Sequence, residues 1–317
     1  MESLLEVTGL SVQYSTKQRN VTAVDNANFE VPSSGYTIGL VGESGSGKTT
    51  LGMSILNLID APGRIASGKI SYQGRDVLSM SPKELRSYRW QEVSVIFQSA
   101  MNALNPVKTI SSHITEVLRE HTNVSAREAD ERATKLLSDV GIKPSRKDDF
   151  PHELSGGMKQ RVVIAMALAL APKLLIADEP TSALDVVVQK EILSLIKRRI
   201  KKENLSLIFI THEISILPGV VENIAVMYQG EIVERGPIEK VLSEPLHPYT
   251  EMLLDSLLTL DSEKSRLFES VEAMAAVHIG GCKYANACRY AFERCKIEKP
   301  ELKVSQKGRL VACHKYN

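Results

Sequence analysis

Gly42-Glu43-Ser44-Gly45-Ser46-Gly47-Lys48-Thr49 decides how this chain folds. The eight residues fit G-x-x-x-x-G-K-[ST] at every fixed position. They follow the continuously apolar run Tyr36–Val41 and open a segment of helical period from Lys48 to Ile59. Strand, glycine loop and helix are the context a phosphate-binding loop requires. The glycines let successive N–H groups turn inward on phosphate oxygens, and the helix start adds a positive dipole end. Lys48 supplies a full charge between the terminal phosphates, and the Thr49 hydroxyl suits Mg²⁺. Gly42, Ser44, Gly45, Ser46, Gly47 and Thr50 complete the candidate phosphate-binding set.

Outward from the loop, short apolar runs recur at Val93–Phe97, Leu174–Ala177, Leu205–Ile210 and Ile224–Tyr228. Continuous rather than alternating runs predict strands covered on both faces, as in a parallel sheet. Helical periods lie between them at Ala126–Val140, Ser155–Ala171 and Val187–Lys202. The alternation predicts an α/β fold. Leu4–Val12 and Ala23–Val31 alternate more and predict an antiparallel β edge. The mostly helical stretch from Pro82 predicts an inserted helical subdomain over about 82–165.

Two further stretches carry chemistry. Lys173-Leu174-Leu175-Ile176-Ala177-Asp178-Glu179-Pro180 is an apolar strand ending in two acids. Asp178, at the carboxyl end, is placed to hold Mg²⁺ through water. Glu179 points the other way across the pleat and can polarise an attacking water. His152-Glu153-Leu154-Ser155-Gly156-Gly157-Met158-Lys159-Gln160-Arg161 opens a helix that Ser155 can cap, and its glycines leave backbone N–H groups bare. This second anion-binding helix tip has no lysine of its own. Two such tips in one chain make sense if a nucleotide is sandwiched between two copies.

These motifs resemble the ATP-binding cassette (ABC) ATPases. Leu154-Ser155-Gly156-Gly157 matches the family's LSGGQ signature, with Met158 where Gln is usual. The resemblance implies a RecA-like P-loop core with an antiparallel β edge and an inserted helical subdomain. It implies that Tyr14 stacks on adenine, and that Gln98 touches Mg²⁺ and the attacking water. It makes Ser182-Ala183-Leu184-Asp185 the D-loop and His212 the γ-phosphate switch. ATP and Mg²⁺ are the implied ligands. The implied partners are a second ATPase subunit (a copy or a paralogue), two transmembrane permease subunits and an extracytoplasmic solute-binding protein.

The four cysteines, Cys282, Cys288, Cys295 and Cys313, all fall in the last 36 residues. Their C-x5-C-x6-C-x17-C spacing is that of neither a zinc finger nor a ferredoxin run. By spacing they are four thiolates with the metal open. Lys283, Arg289, Arg294 and Lys296 predict lowered thiol pKa values, and His314, next to Cys313, reads as a surface residue, with a role as alternative ligand as the second reading. Cys282 to Asn317 holds nine Lys/Arg against three Asp/Glu. The tail therefore reads as a separate module, with the ATPase domain over 1–236 and an extension over 237–317. His247-Pro248-Tyr249-Thr250 and the cysteines resemble the C-terminal extension of oligopeptide/dipeptide-type importer ATPases. That resemblance implies a [4Fe–4S] cluster, with Zn²⁺ as the alternative, and di- or oligopeptide cargo, with oligosaccharide or nickel as alternatives.

Composition excludes other classes. Lys+Arg at 39 against Asp+Glu at 38 gives no basic excess for a nucleic-acid partner. The longest apolar stretch, Val162–Ala171, is too short to span a bilayer. The opening MESLLEVTGL lacks the pattern of a signal peptide. The expected location is peripheral, on the cytoplasmic face of the cell membrane. A soluble ABC ATPase of DNA repair is the weaker reading, because Gln98 and Ser155 stand 57 positions apart and leave no room for a long coiled coil.

Overall fold

The computed structural model describes residues 3–15, 20–98, 103–182, 184–258 and 280–316. Its strands are β1 (Leu5–Ser15), β2 (Asn20–Val31), β3 (Thr37–Val41), β4 (Gly63–Tyr72), β5 (Arg75–Asp76), β6 (Val93–Ile96), β7 (Leu174–Asp178), β8 (Ser206–Thr211), β9 (Asn223–Tyr228), β10 (Glu231–Pro237), β11 (Lys303–Val304) and β12 (Leu310–Val311). Its α-helices are α1 (Lys48–Ile55), α2 (Pro82–Ser87), α3 (Ile110–His121), α4 (Ala126–Asp139), α5 (Gly156–Ala167), α6 (Val186–Glu203), α7 (Ile238–Ser243), α8 (Pro248–Leu258) and α9 (Glu293–Ile297). Two compact units divide the chain: Met1–Leu5, Val31–Thr37 and Ser71–Ile210 form one, and Glu6–Glu30, Ile38–Ile70 and Thr211–Asn317 form the other.

In the first unit β6, β7 and β8 lie side by side and parallel, with Val93 opposite Leu174 and Leu174 opposite Ser206. Every residue of β7 and β8 is buried, as continuous apolar runs require. α5 buries Val162, Ile164 and Ala165, and α6 buries Ile192, Leu195 and Ile196. Each of the Val, Ile and Leu side chains contributes about 1.5–3 kcal/mol when fully buried. α3 and α4 pack on each other within the expected helical span, with Ile114, Leu118, Ala133 and Leu137 inside. β6 falls inside that span, so the stretch is helical only around a core strand.

The helix boundaries follow local chemistry. Ser155 accepts from the Met158 N–H at 3.4 Å and starts α5. Asp185 accepts from the Val187 and Val188 N–H groups at 3.1 and 3.0 Å and starts α6. α5 stops at Ala167, short of the expected Ala171. Ala171 takes a left-handed φ of 50° ahead of Pro172, a residue that disfavours helix before it. α1 stops at Ile55 rather than Ile59, with Asn57 left-handed at φ 50°.

The second unit carries strands in the order β2-β1-β4 in one sheet and β11-β12-β10-β9-β3 in another. β3 and β9 are parallel, from Ile38 opposite Asn223 to Val41 opposite Val226. β10 pairs antiparallel with β9 and with β12. Ile38, Leu40, Leu51, Ile55 and Ile224 to Met227 form its core. Most of β4 is exposed up to Lys69, and its apolar pattern was too thin to be read as a strand. The tail shares this compact unit with β3 and α1. Among the described residues no helix is long and apolar enough to cross a membrane.

Candidate functional site

The phosphate loop of the second unit is built on two glycines that no other residue could replace. A Cβ on Gly47, at φ +100°, would sit 2.1 Å from the Ala23 carbonyl oxygen. One on Gly42, at φ +153°, would sit 2.1 Å from the Met227 carbonyl oxygen. Both contacts lie far inside van der Waals range, so the backbone runs where only glycine fits. Lys48 is buried at the first position of α1. Its Nζ donates to the carbonyls of Gly42 at 2.8 Å and Glu43 at 2.7 Å and to Ser46 Oγ at 3.2 Å. Ser44, Gly45 and Thr49 are exposed along the same loop, and Thr50 is half-buried behind them. The loop thus presents accessible N–H groups, a hydroxyl and a helix start around a lysine already gathered over it.

Tyr14, at the end of β1, is half-buried, and its Cε1 lies 2.6 Å from where a Cβ on Gly63 would stand. His212 follows β8 and is exposed.

The first unit gathers the second set. Asp178 ends β7 and is buried. Glu179 does not continue the pleat as expected. It takes a left-handed φ of 46°, and its N–H donates to the Ile210 carbonyl at 2.9 Å. Gln98 Nε2 donates to Glu179 Oε2 at 2.9 Å, so two predicted catalytic side chains meet directly. Gln160 was not foreseen. It is buried in α5 and donates to the Pro180 carbonyl at 2.6 Å, tying the signature helix to the turn after Glu179. Ser155 and Gly156 are exposed at the tip of α5. Gly157 packs against α6, where a Cβ would lie 2.5 Å from Val188 Cγ1. Asp185 holds the start of α6, and Val186 and Val187 beside it are exposed. Ala183 of the D-loop lies outside the described residues.

In the tail, Cys282, Cys288, Cys295 and Cys313 line one cavity of about 20 Å³, together with Tyr284 and His314. The expectation of lowered thiol pKa values is corrected. Burial pushes Cys282 up to about 11 and raises Cys288 and Cys313. The nearby cations are engaged elsewhere: Arg289 with Glu251, Arg294 with Glu298, Lys283 with Asp25 and Glu231, and Lys296 with Glu293. His314 is likewise not a surface residue. It is buried, and its Nε2 pairs with the Glu298 carbonyl at 2.8 Å. Its Nδ1 has no hydrogen-bond partner among the described residues. Among those residues no group of three or more His, Cys, Asp or Glu side chains is drawn together closely enough to hold a metal ion.

A glycine loop closed over its own lysine at a helix start, and an acidic strand end whose glutamate is held by a glutamine, define a P-loop nucleoside-triphosphate hydrolase. Comparison with known proteins narrows this class: residues 24–182 match the ABC transporter family, to which the chain belongs. Residues 233–295 match the oligopeptide/dipeptide transporter C-terminal region. The chain is 41% identical to the oligopeptide transport ATP-binding protein AppD of Bacillus subtilis, over all of this chain and 98% of that protein. It is also 41% identical to the dipeptide transport ATP-binding protein DppD of Escherichia coli, over 98% of this chain and 96% of that one. Among solved structures it is similar to the ATP-binding cassette MJ0796, described as a dimeric post-hydrolysis state bound to ADP and Pi. That likeness has a TM-score of 0.64 and 26% identity, and it covers 74% of this chain and 98% of that one. The chain is therefore an ATPase of the ABC transporter family.

Proposed function

We propose that this chain is the ATP-hydrolysing subunit of an importer for di- or oligopeptides. It works from the cytoplasmic face of the cell membrane with two separate permease subunits and an extracytoplasmic solute-binding protein. The observation that carries the peptide reading is the match of residues 233–295 to the oligopeptide/dipeptide transporter C-terminal region. The names of the relatives at 41% identity agree with it. In this reading residues 1–236 form the nucleotide-binding domain and 237–317 the extension.

The roles follow the chemistry of each side chain. Gly42 to Thr50 wrap the phosphates with N–H groups, and Lys48 neutralises them. Tyr14 offers a ring face to adenine. Thr49, Gln98 and Asp178 supply oxygen donors of the type Mg²⁺ takes, and the ion when bound neutralises charge on the transferred phosphoryl group. Glu179 orients and polarises water, and Gln98, bonded to it at 2.9 Å, fixes where its carboxylate points. His212 contacts the γ-phosphate. Ser155, Gly156, Gly157 and Asp185 face the nucleotide of a second subunit, as the dimeric form of the similar cassette suggests.

The cysteine pocket belongs to the same proposal. Four thiols and the unpartnered His314 Nδ1 around one cavity are a soft-metal donor set. The cavity has room for about one water. The pocket as it stands has no room for a [4Fe–4S] cluster, and its side chains would have to rearrange to hold either the cluster or zinc. The cluster is the reading that the extension's resemblance implies.

Glu179→Gln tests the ATPase assignment. The amide keeps an oxygen for Gln98 but cannot accept a proton from water. ATP binding is expected to persist, while phosphate release falls at least about 100-fold and a nucleotide-bound dimer accumulates on size exclusion. Hydrolysis at the parent rate would remove Glu179 from its role.

A further inference from the structure

The second unit contains a link from the tail to the phosphate loop that neither the motifs nor the family match describes. Tyr249 Oη accepts a hydrogen bond from the Glu43 N–H at 3.1 Å, across 206 positions of sequence. Glu43 is the second residue of the loop and Tyr249 the second residue of α8.

Tyr249 is held on every side. Its ring is fully buried, with its centroid 4.5 Å from that of Tyr228 and 5.5 Å from that of Tyr284. Its N–H donates to His247 Nδ1 at 3.1 Å. The Glu234 carboxylate accepts from the Leu246 N–H at 3.0 Å and the His247 N–H at 2.9 Å, which fixes the turn leading into α8. Little freedom remains for the phenol to leave the loop.

On the loop side the Glu43 carbonyl accepts from Lys48 Nζ at 2.7 Å and from the Ser46 N–H at 3.2 Å. Both ends of this residue's backbone are therefore fixed, the carbonyl by the lysine and the N–H by the tyrosine. When phosphate arrives, Lys48 must give up at least one of its bonds to the loop to meet it. The tyrosine bond then remains to keep the loop's entry in place.

We propose that Tyr249 is a positioning residue for nucleotide binding: its hydroxyl pins the entry of the phosphate loop in the conformation that receives ATP. The extension is then part of the nucleotide site's support. Tyr284, which packs edge-on against Tyr249, also lines the cysteine cavity, so the two features share one aromatic cluster.

Full-length Tyr249→Phe and Tyr284→Phe separate this role from packing. Phenylalanine keeps the buried ring in both, and only Tyr249→Phe removes the bond to the loop. Affinity is read by calorimetric titration with a non-hydrolysable ATP analogue and Mg²⁺, and turnover by phosphate release. For Tyr249→Phe the dissociation constant and the KM for ATP are expected to rise about five- to tenfold, the loss of one part-buried hydrogen bond, with kcat within about twofold. Tyr284→Phe is expected to bind within about twofold of the parent. Parent-like affinity in Tyr249→Phe, equal weakening by both variants, or a loss confined to kcat would each overturn the proposal.

Discussion

Glu234→Gln is the most informative change outside the nucleotide motifs. Glu234 is fully buried in β10, and Arg309, also buried, places Nη1 3.4 Å from its Oε1. The carboxylate accepts the Leu246 and His247 N–H groups. A glutamine can keep both amides on its oxygen, but its NH₂ then faces the Arg309 guanidinium, donor against donor. Removing one partner of a buried ion pair costs about 3–5 kcal/mol. Arg309 retains the carbonyls of Lys240 at 2.8 Å and Glu244 at 2.6 Å, which sets the expectation at the low end, about 3 kcal/mol. For a chain of 317 residues that is a fall of roughly 4–5 °C in the unfolding midpoint. Scanning calorimetry of the parent, Glu234→Gln, Arg309→Met and the double variant completes a cycle. The double variant should recover about 2 kcal/mol of the summed single losses, because neither buried charge is then left alone. Because Glu234 also holds the turn before Tyr249, ATP affinity in Glu234→Gln should fall along with stability. A midpoint within 1 °C of the parent, or strictly additive losses, would refute the reasoning.

Two further outcomes can be measured. Burial raises the Asp25 carboxyl, but its bonds to Lys283 and Lys299 outweigh this and hold it well below the usual carboxylate range. Its stabilisation is therefore complete above the unfolded carboxylate value of about 4 and is lost as pH falls further. Asp25→Asn should lower the midpoint at pH 7 and converge on the parent toward pH 2, and a pH-independent gap would contradict the assignment. Anaerobically purified protein should be brown with a broad band near ~400 nm if the tail carries iron and sulfide; colourless protein with one zinc per chain would replace the cluster by zinc.

Much of the nucleotide machinery was legible because its constraints are local. Gly47 takes a left-handed φ of +100° as the loop turns into α1, and Ser155 caps the start of α5. The buried strands β3, β7, β8 and β9 announced themselves by unbroken apolar runs. What failed to show depends on which partner each side chain takes once the chain is folded. Counting arginines and lysines near the cysteines predicted low thiol pKa values. That count could not reveal that Arg289, Arg294, Lys283 and Lys296 are engaged by carboxylates, which leaves burial to dominate. The turn at Glu179 departs from strand geometry because its N–H bonds to β8, 31 positions later. Nothing in His247-Pro248-Tyr249-Thr250 says that its phenol reaches back to Glu43.

The tail's chemistry argues against treating it as an appendage. β12 pairs with β10 at Glu234–Val311 and Arg235–Leu310, and β10 is two strands from β3 in the order β12-β10-β9-β3. Without β12 the backbone groups of β10 would form an open edge, a surface that proteins normally cover or blunt. Lys283 bridges Asp25 and Glu231, and Lys299 does the same, so two lysines from the tail hold β2 and β10. Exposed pairs of this kind are worth about 0–1 kcal/mol each. Here, however, Glu231 is largely buried, burial raises its pKa, and both lysines oppose that rise. An unpaired Glu231 would cost more than either contact returns. The last 36 residues thus close a sheet edge, neutralise a buried acid and, through the cluster around Tyr249, reach the phosphate loop. A tail that only carried a metal would need none of these contacts, and the bond from the Glu43 N–H to Tyr249 ties the cluster they support to nucleotide binding.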